Sequence, residues 1–243
     1  MQATEILYDN FQTQVLDSSK WSVAAFPAGN GGFWKWEEPG AIIRTGDGKI
    51  ELTVNPFTRF HHQVQIFDNP KHLILATRSF SVPKKGFLSI SFKMGAATHN
   101  GNPDDFRDGF SSFNVLDFAS GMVFDFIATS TKIGAIYERL LIPGLTTSPE
   151  AFTEIVEVGQ NQPGKLSRCE VRYSWEEDRV LYFLEGKEVF KRCNLPARSS
   201  NLSIGFGLIT LRMIENGRSS SLKGQGGTGL WSEVRTSTLQ PGN

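Results

Sequence analysis

The chain has 243 residues, with 25 Lys and Arg against 25 Asp and Glu and a formal net charge of zero. Hydrophobic residues make up 39% and charged residues 21%, a globular composition able to bury a core and unlike that of a disordered chain. With no surplus of Lys or Arg to neutralise phosphates, a nucleic-acid partner is not expected. No apolar run approaches the ~18 residues of a membrane span, and Met1 to Glu5 shows neither the basic nor the apolar region of a signal peptide. The expectation is a cytoplasmic protein without a membrane partner. One domain over residues 1–243 is expected, since all-β units commonly reach about 200–250 residues.

The excess of Phe (19) and Gly (24) points to strands joined by turns. Phe26 to Gly40, rich in glycine and tryptophan, reads as the first long loop. Trp34 and Trp36 share a face if this loop is extended, where they either stack on a ligand or pin the loop to the protein body. Phe60 to Ile66 alternates, with His61 beside Gln63 and Gln65 and His62 beside Val64 and Ile66. The two imidazoles therefore point opposite ways and do not ligate one metal. His61 is an acid–base candidate and His62 a ligand contact, with hydrogen-bonded structural histidines as the other reading.

From Phe87 to Met94, residues Leu88, Ile90, Phe92 and Met94 take one side and Ser89, Ser91 and Lys93 the other. Gly95 to Gly109 reads as a second loop. Its segment His99 to Asp108 has enough oxygen donors for Ca2+, among them Asp104, Asp105 and Asp108, but EF-hand spacing and a terminal Glu are missing, and Asx-rich turns form without metal. No cluster of His, Cys and acid suggests zinc or iron, and no cofactor is expected.

Met122 to Ala128 and Ile133 to Leu141 are more apolar, as in strands covered on both faces. The first sets Asp125 between Val123 and Ile127 on one face. Desolvation there raises a carboxyl pKa and poises it for proton transfer, whereas a hydrogen bond to a loop amide or an arginine would make it structural. In the second, alternation puts Tyr137 and Arg139 on one face and Glu138 on the other. Charges in an apolar strand need partners. Either Arg139 pairs with Asp125 across neighbouring strands, or Glu138 lines a groove as a base or polar anchor.

Pro143 to Lys165 reads as a third loop holding the one helix signal, with Ser148 as N-cap and Pro149 at the first helical position. Cys169 to Trp175 alternates Val171, Tyr173 and Trp175 against Glu170, Arg172 and Ser174. Arg179 to Leu184 follows, and Glu185, Gly186 and Lys187 turn the chain into Glu188 to Arg192. Cys169 and Cys193 are expected as reduced thiols, a single bridge being the alternative. The last long loop, Glu215 to Gly229, lacks the Gly-Lys-Ser/Thr ending of a phosphate-binding loop.

Several segments together resemble a known architecture. Leu7 to Phe11 with Leu16 to Trp21 is similar to the first strand of concanavalin A-like jelly rolls, the fold of laminarinase-type glycoside hydrolases. Gly48 to Val54 resembles their second strand, Arg78 to Gly86 the approach to their core strand, and Val171 to Val189 their late hairpin. The resemblance implies an all-β, concanavalin A-like jelly-roll β-sandwich of two antiparallel sheets with little helix. The segments Asn114 to Asp117, Val123 to Phe126 and Ala135 to Leu140 also resemble a bacterial intracellular family of unknown function, which carries no activity with it.

The laminarinase resemblance implies an alternating Glu-x-Asp-x-Glu strand, because retaining glycosidases need two carboxylates about 5–5.5 Å apart. Here the counterpart is Val123 to Ile127, with the central Asp125 kept and both catalytic positions apolar. That mechanism is not expected. The reading that follows is a cofactor-independent isomerase, cyclase or lyase acting on a hydrophobic small molecule in the concave groove. Asp125, Glu138 and His61 are its acid–base candidates, and Tyr137, Arg139, His62, Trp34, Trp36 and Asn114 its substrate contacts. The alternatives are a carbohydrate-binding lectin-like module and a glycoside hydrolase with displaced acids, using Glu138 with Asp117 or Asp125.

Overall fold

The computed structural model describes residues 5–27, 33–59, 70–142, 144–212, 214–215, 218–219 and 222–240. Its strands begin with β1 (Glu5–Asp9), β2 (Trp21–Val23), β3 (Ala25–Pro27), β4 (Phe33–Lys35), β5 (Ile42–Gly46), β6 (Lys49–Val54) and β7 (Lys71–Ala76). The middle of the chain forms β8 (Phe80–Ser81), β9 (Phe87–His99), β10 (Phe110–Asp117), β11 (Met122–Ala128), β12 (Lys132–Arg139) and β13 (Phe152–Gln160). The remainder forms β14 (Ser167–Ser174), β15 (Arg179–Leu184), β16 (Lys187–Cys193), β17 (Asn201–Ile209), β18 (Ile214–Glu215), β19 (Arg218–Ser219) and β20 (Gly226–Leu239).

Two eight-stranded antiparallel sheets hold most of these. The first runs β16-β15-β14-β9-β20-β6-β5 with β1 beside β20; the second runs β13-β12-β11-β10-β17-β7-β2 with β8 beside β17. Period-two alternation sends one face of each sheet into a shared core. Leu88, Ile90, Phe92 and Met94 of β9 enter it from one side, as the sequence pattern predicts, and Phe113, Phe124, Phe126 and Phe206 from the other. Phe92 stacks on Phe113 with centroids 3.7 Å apart, and the Tyr182 hydroxyl donates across the core to the Ile136 carbonyl at 2.7 Å. Buried phenols are tolerated only with such a partner.

The amino-terminal signature has a packing reason. Asp9 is buried, its Oδ1 accepting from the Phe11 amide (2.9 Å) and its Oδ2 from Trp21 Nε1 (2.8 Å). Trp21 is thereby fixed against Tyr8, Phe11 and Phe206.

All four expected loops contain strand, the first through the β3–β4 pair. β9 continues to His99 and β20 starts at Gly226, while the middle of the third loop is β13, paired with β12 from Arg139↔Phe152 to Lys132↔Gln160. β13 is an edge strand with a bulge in its pairing and no clean inside–outside alternation, so it leaves a weak periodic signal. The helix signal at Ser148 resolves into a turn instead, closed by Thr147: its amide and hydroxyl donate to the Glu150 carboxylate, and its carbonyl accepts from Glu150 and Ala151. The expected hairpin forms with Glu185 and Gly186 as a two-residue loop, both at positive φ. Cys169 is buried, Cys193 exposed, and the two are unbridged, on strands separated by β15. Among the described residues no helix is long and apolar enough to cross a membrane.

Asp9→Ala leaves the Trp21 and Phe11 donors without their acceptor in a buried site, and should lower stability by about 2 kcal/mol. Urea unfolding followed by tryptophan fluorescence is the check, with a reduced midpoint at unchanged slope expected and an unaltered midpoint refuting the role.

Candidate functional site

The outer face of the second sheet forms an open groove of about 720 Å3. The alternation that sends Phe113 and Val115 inward turns Phe110, Asn114 and Leu116 of β10 out onto its floor. β11 adds Val123 and Asp125, and β12 adds Ile136 and Glu138. Phe110, Ile127 and Ile136 pack as one buried apolar cluster, with Ile155, Ile209 and Leu211 against it. One wall is built on β7: Trp36 hydrogen-bonds through its carbonyl to the Leu73 amide, and its ring packs with Ala24 and Leu73. Gly207 permits this wall to close over β17, since a Cβ there would lie 2.2 Å from the His72 carbonyl oxygen.

Asp125 is 5% exposed in the middle of the floor. Its Oδ1 accepts from the Val115 amide at 3.0 Å, at the point where the β10–β11 pairing skips from Phe113↔Phe126 to Leu116↔Val123. The side chain thus takes over a ladder hydrogen bond. Burial pushes its carboxyl well above the ordinary 3.8, the Val115 bond opposes this, and the charge of Glu138 adds to it. Glu138 is half-buried, opposite Val123 and diagonal to Asp125, which faces Ile136. Burial raises its carboxyl too, while a hydrogen bond from the Thr153 hydroxyl and the nearby Lys71 charge pull it back down. Lys71 is 7% exposed, with Nζ 4.4 Å from the Trp36 ring centroid.

The expected site residues separate into three groups. Asp125, Glu138, Asn114, Trp36 and Arg139 all line the groove; Asn114 lies on the strand next to Asp125 and donates to Ser112 Oγ at 3.1 Å. Arg139 does not pair with Asp125: it stands opposite Met122, donates to the Ser120 carbonyl at 3.4 Å and bridges Glu150 at 3.6 Å. Tyr137 is not a groove residue. It is 8% exposed on the core face, stacked on Phe124 and tilted against Phe152, as alternation with Glu138 requires. His61, His62 and the Trp34 side chain lie outside the described residues. Asp117, the other acid considered, caps the β10–β11 turn through the Ala119 amide and the Ser120 hydroxyl.

The acidic loop before β10 turns its carboxylates to protein partners rather than to a common centre. Asp108 accepts from the Asn102 amide and from Arg212, Asp105 from the Arg107 amide and Arg212, and Asp104 from Thr131. Among the described residues no group of three or more His, Cys, Asp or Glu is arranged to hold a metal ion.

Sequence reading missed Lys71, Arg107 and Thr153, which also line the groove. Lys71 had a signal: it opens an apolar run in which Leu73 shares its face. Arg107 had none, because its position follows from the turn of a loop.

Against known proteins, a family model described as "Family of unknown function (DUF6081)" matches residues 8–240. The chain belongs to this family. No curated protein matches it in sequence. Among solved structures it is similar to an endo-1,3-beta-glucanase from Streptomyces sioyaensis, with TM-score 0.61 and 12% identity over 98% of this chain and 97% of that one. It is also similar to the catalytic domain of an endo-1,3-beta-glucanase (laminarinase) from Thermotoga petrophila, with TM-score 0.60 and 8% identity over 99% and 100%. The carbohydrate recognition domain of Emp47p aligns with TM-score 0.55 and 13% identity over 97% and 95%. These likenesses establish the fold: this family member is a concanavalin A-like jelly-roll sandwich, as its sequence resemblance implied.

The raised Asp125 pKa has a consequence for stability. The folded protein holds a proton that the unfolded chain releases, so stability is greatest below the unfolded pKa and falls as pH rises through the folded one. Asp125→Asn keeps an acceptor for Val115 and removes the titration. Urea unfolding at about pH 5 and about pH 8 should show the variant gaining on the wild type as pH rises; parallel pH profiles would contradict the assignment.

Proposed function

We propose that the groove binds an apolar small molecule and that Asp125 and Glu138 carry out acid–base chemistry on it without a cofactor, as in an isomerase, cyclase or lyase. The observation that carries this reading is a carboxyl group set into an apolar sheet face, 5% exposed, in a groove that also holds a second carboxyl. Environments that separate two carboxyl pKa values assign an acid and a base. Asp125, pushed well up by burial and by the Glu138 charge, is the proton donor. Glu138, also raised by burial but opposed by the Thr153 hydrogen bond and the Lys71 charge, is the base. A proton leaves substrate carbon for Glu138 while Asp125 protonates a carbonyl oxygen or alkene carbon, and the apolar floor keeps water from competing. Asn114, beside Asp125, supplies a polar contact for the group being protonated.

A displaced-acid glycosidase is the second reading. Diagonal residues on paired strands stand about 7–8 Å apart, within the separation inverting enzymes use. The apolar floor argues against it, since sugar hydroxyls would be left without partners on Val123, Leu116 and Ile136.

Native mass spectrometry of the purified protein, followed by return of any released molecule to fresh enzyme, tests the two together. Conversion of an apolar molecule is expected, slowed about 100-fold or more in Asp125→Asn and Glu138→Gln with binding retained. Hydrolysis of laminarin or lichenan by the wild type, abolished in the same variants, would replace the first reading by the second.

A further inference from the structure

The polar centre of the groove floor is a pair of side chains that face each other. The β10–β11 pairing keeps one offset on both sides of its break, from Phe113↔Phe126 to Leu116↔Val123, so Asn114 stands opposite Asp125. Side chains directly opposite on antiparallel strands have Cβ atoms about 4.5–5.5 Å apart. Asn114 is 2% exposed and Asp125 5%, yet both line the groove. Beyond the pair the same row is apolar. Asn114 meets Gly205 and then Leu75 on one side, and Asp125 meets Ile136 and then Ile155 on the other.

Each of the two side chains has one atom committed to the protein and one that is not. Ser112 gives its hydroxyl proton to the Gly207 carbonyl at 3.5 Å and accepts from Asn114 Nδ2 at 3.1 Å, which turns Asn114 Oδ1 away from it. Asp125 Oδ1 is taken by the Val115 amide. Among the described residues, Asn114 Oδ1 and Asp125 Oδ2 have no hydrogen-bond partner. Burial pushes the Asp125 carboxyl well up, and because Oδ1 accepts from an N–H the proton it retains sits on Oδ2. The floor therefore presents a donor beside an acceptor, both costly to leave unpaired away from water.

We propose that the ligand of the groove carries a neutral amide with its N–H and C=O on one edge, as in a lactam or a primary amide, the carbonyl oxygen received by Asp125 Oδ2 and the N–H by Asn114 Oδ1. This rests on the groove being the ligand site and adds the chemical class of the group recognised there. The hydrocarbon part lies over Leu116, Val123 and Ile136. An ester or a simple ketone satisfies Asp125 and leaves the Asn114 oxygen unpaired. A carboxylate lacks the donor as well and brings a negative charge toward Glu138, the diagonal neighbour of Asp125. A hydroxyketone has both groups but must freeze rotors to align them, whereas the amide edge is rigid.

The test is calorimetric titration of the full chain near neutral pH with δ-decalactam, δ-decalactone and decanoate, the first two differing only in N–H for ring oxygen. The lactam should bind about tenfold or more tighter than the lactone, as pairing an otherwise unmatched buried acceptor provides, with decanoate weakest. Asn114→Leu should abolish the lactam's advantage, whereas Asp125→Asn, whose amide keeps both an acceptor for Val115 and a donor in the groove, should retain it. Equal binding of lactam and lactone by the wild type overturns the amide site, leaves the apolar groove standing and depends on no variant folding. Binding of none of the three overturns both, and tighter binding of decanoate overturns the neutral group. A lactam advantage that survives in folded Asn114→Leu removes Asn114 from the role, and one lost in folded Asp125→Asn removes Oδ2 as the donor.

Discussion

The architecture depends on one constraint: β11 is buried along its whole length, so each of its faces must be satisfied by a different neighbour. Phe124 and Phe126 on the inner face make aromatic contacts that join the two sheets, with Tyr173 and Phe92. Val123, Asp125 and Ile127 on the outer face are then committed to the groove side with no freedom of register, because a slip of one residue would exchange the two sets. The chemistry of the groove is therefore fixed by the same alternation that closes the core.

That coupling explains what the neighbouring folds can and cannot contribute. The same sandwich carries glucanases and a carbohydrate recognition domain, at identities of 8–13%. A jelly roll supplies a curved sheet with outward side chains at every second position, and those side chains decide what is bound. In this chain they are mostly aliphatic, with acids placed singly on adjacent strands rather than alternating along one.

The fold was legible where both sheet faces are well differentiated. β9 and the β15–β16 hairpin follow from alternation and turn chemistry, β11 and β12 from their apolar runs, and Val123, Asp125 and Ile127 share a face as the sequence requires. The pattern failed at the edges. β13 is half-exposed and bulged, so it resembles a loop, and Thr147 displaced Ser148 because a reciprocal Thr–Glu contact closes a turn without any helix following it. At the site, strand periodicity separates Glu138 from Tyr137, but it says nothing of which residues meet across a groove. The partner of Arg139, Glu150, comes from a connecting turn, and Lys71 reaches the site from a strand two places away from β10 in the sheet.

The hydrogen bond between Asp125 and the Val115 amide gives one residue two duties. The same carboxyl group mends a break in the weave between two central strands and presents an ionisable atom to the trough. Aliphatic replacements at this position remove the acceptor and the ionisable group together, so a loss of function in one of them would be uninformative about chemistry. An isosteric amide at 125 preserves an acceptor for the Val115 amide, and only the acid keeps both that acceptor and the ionisable atom.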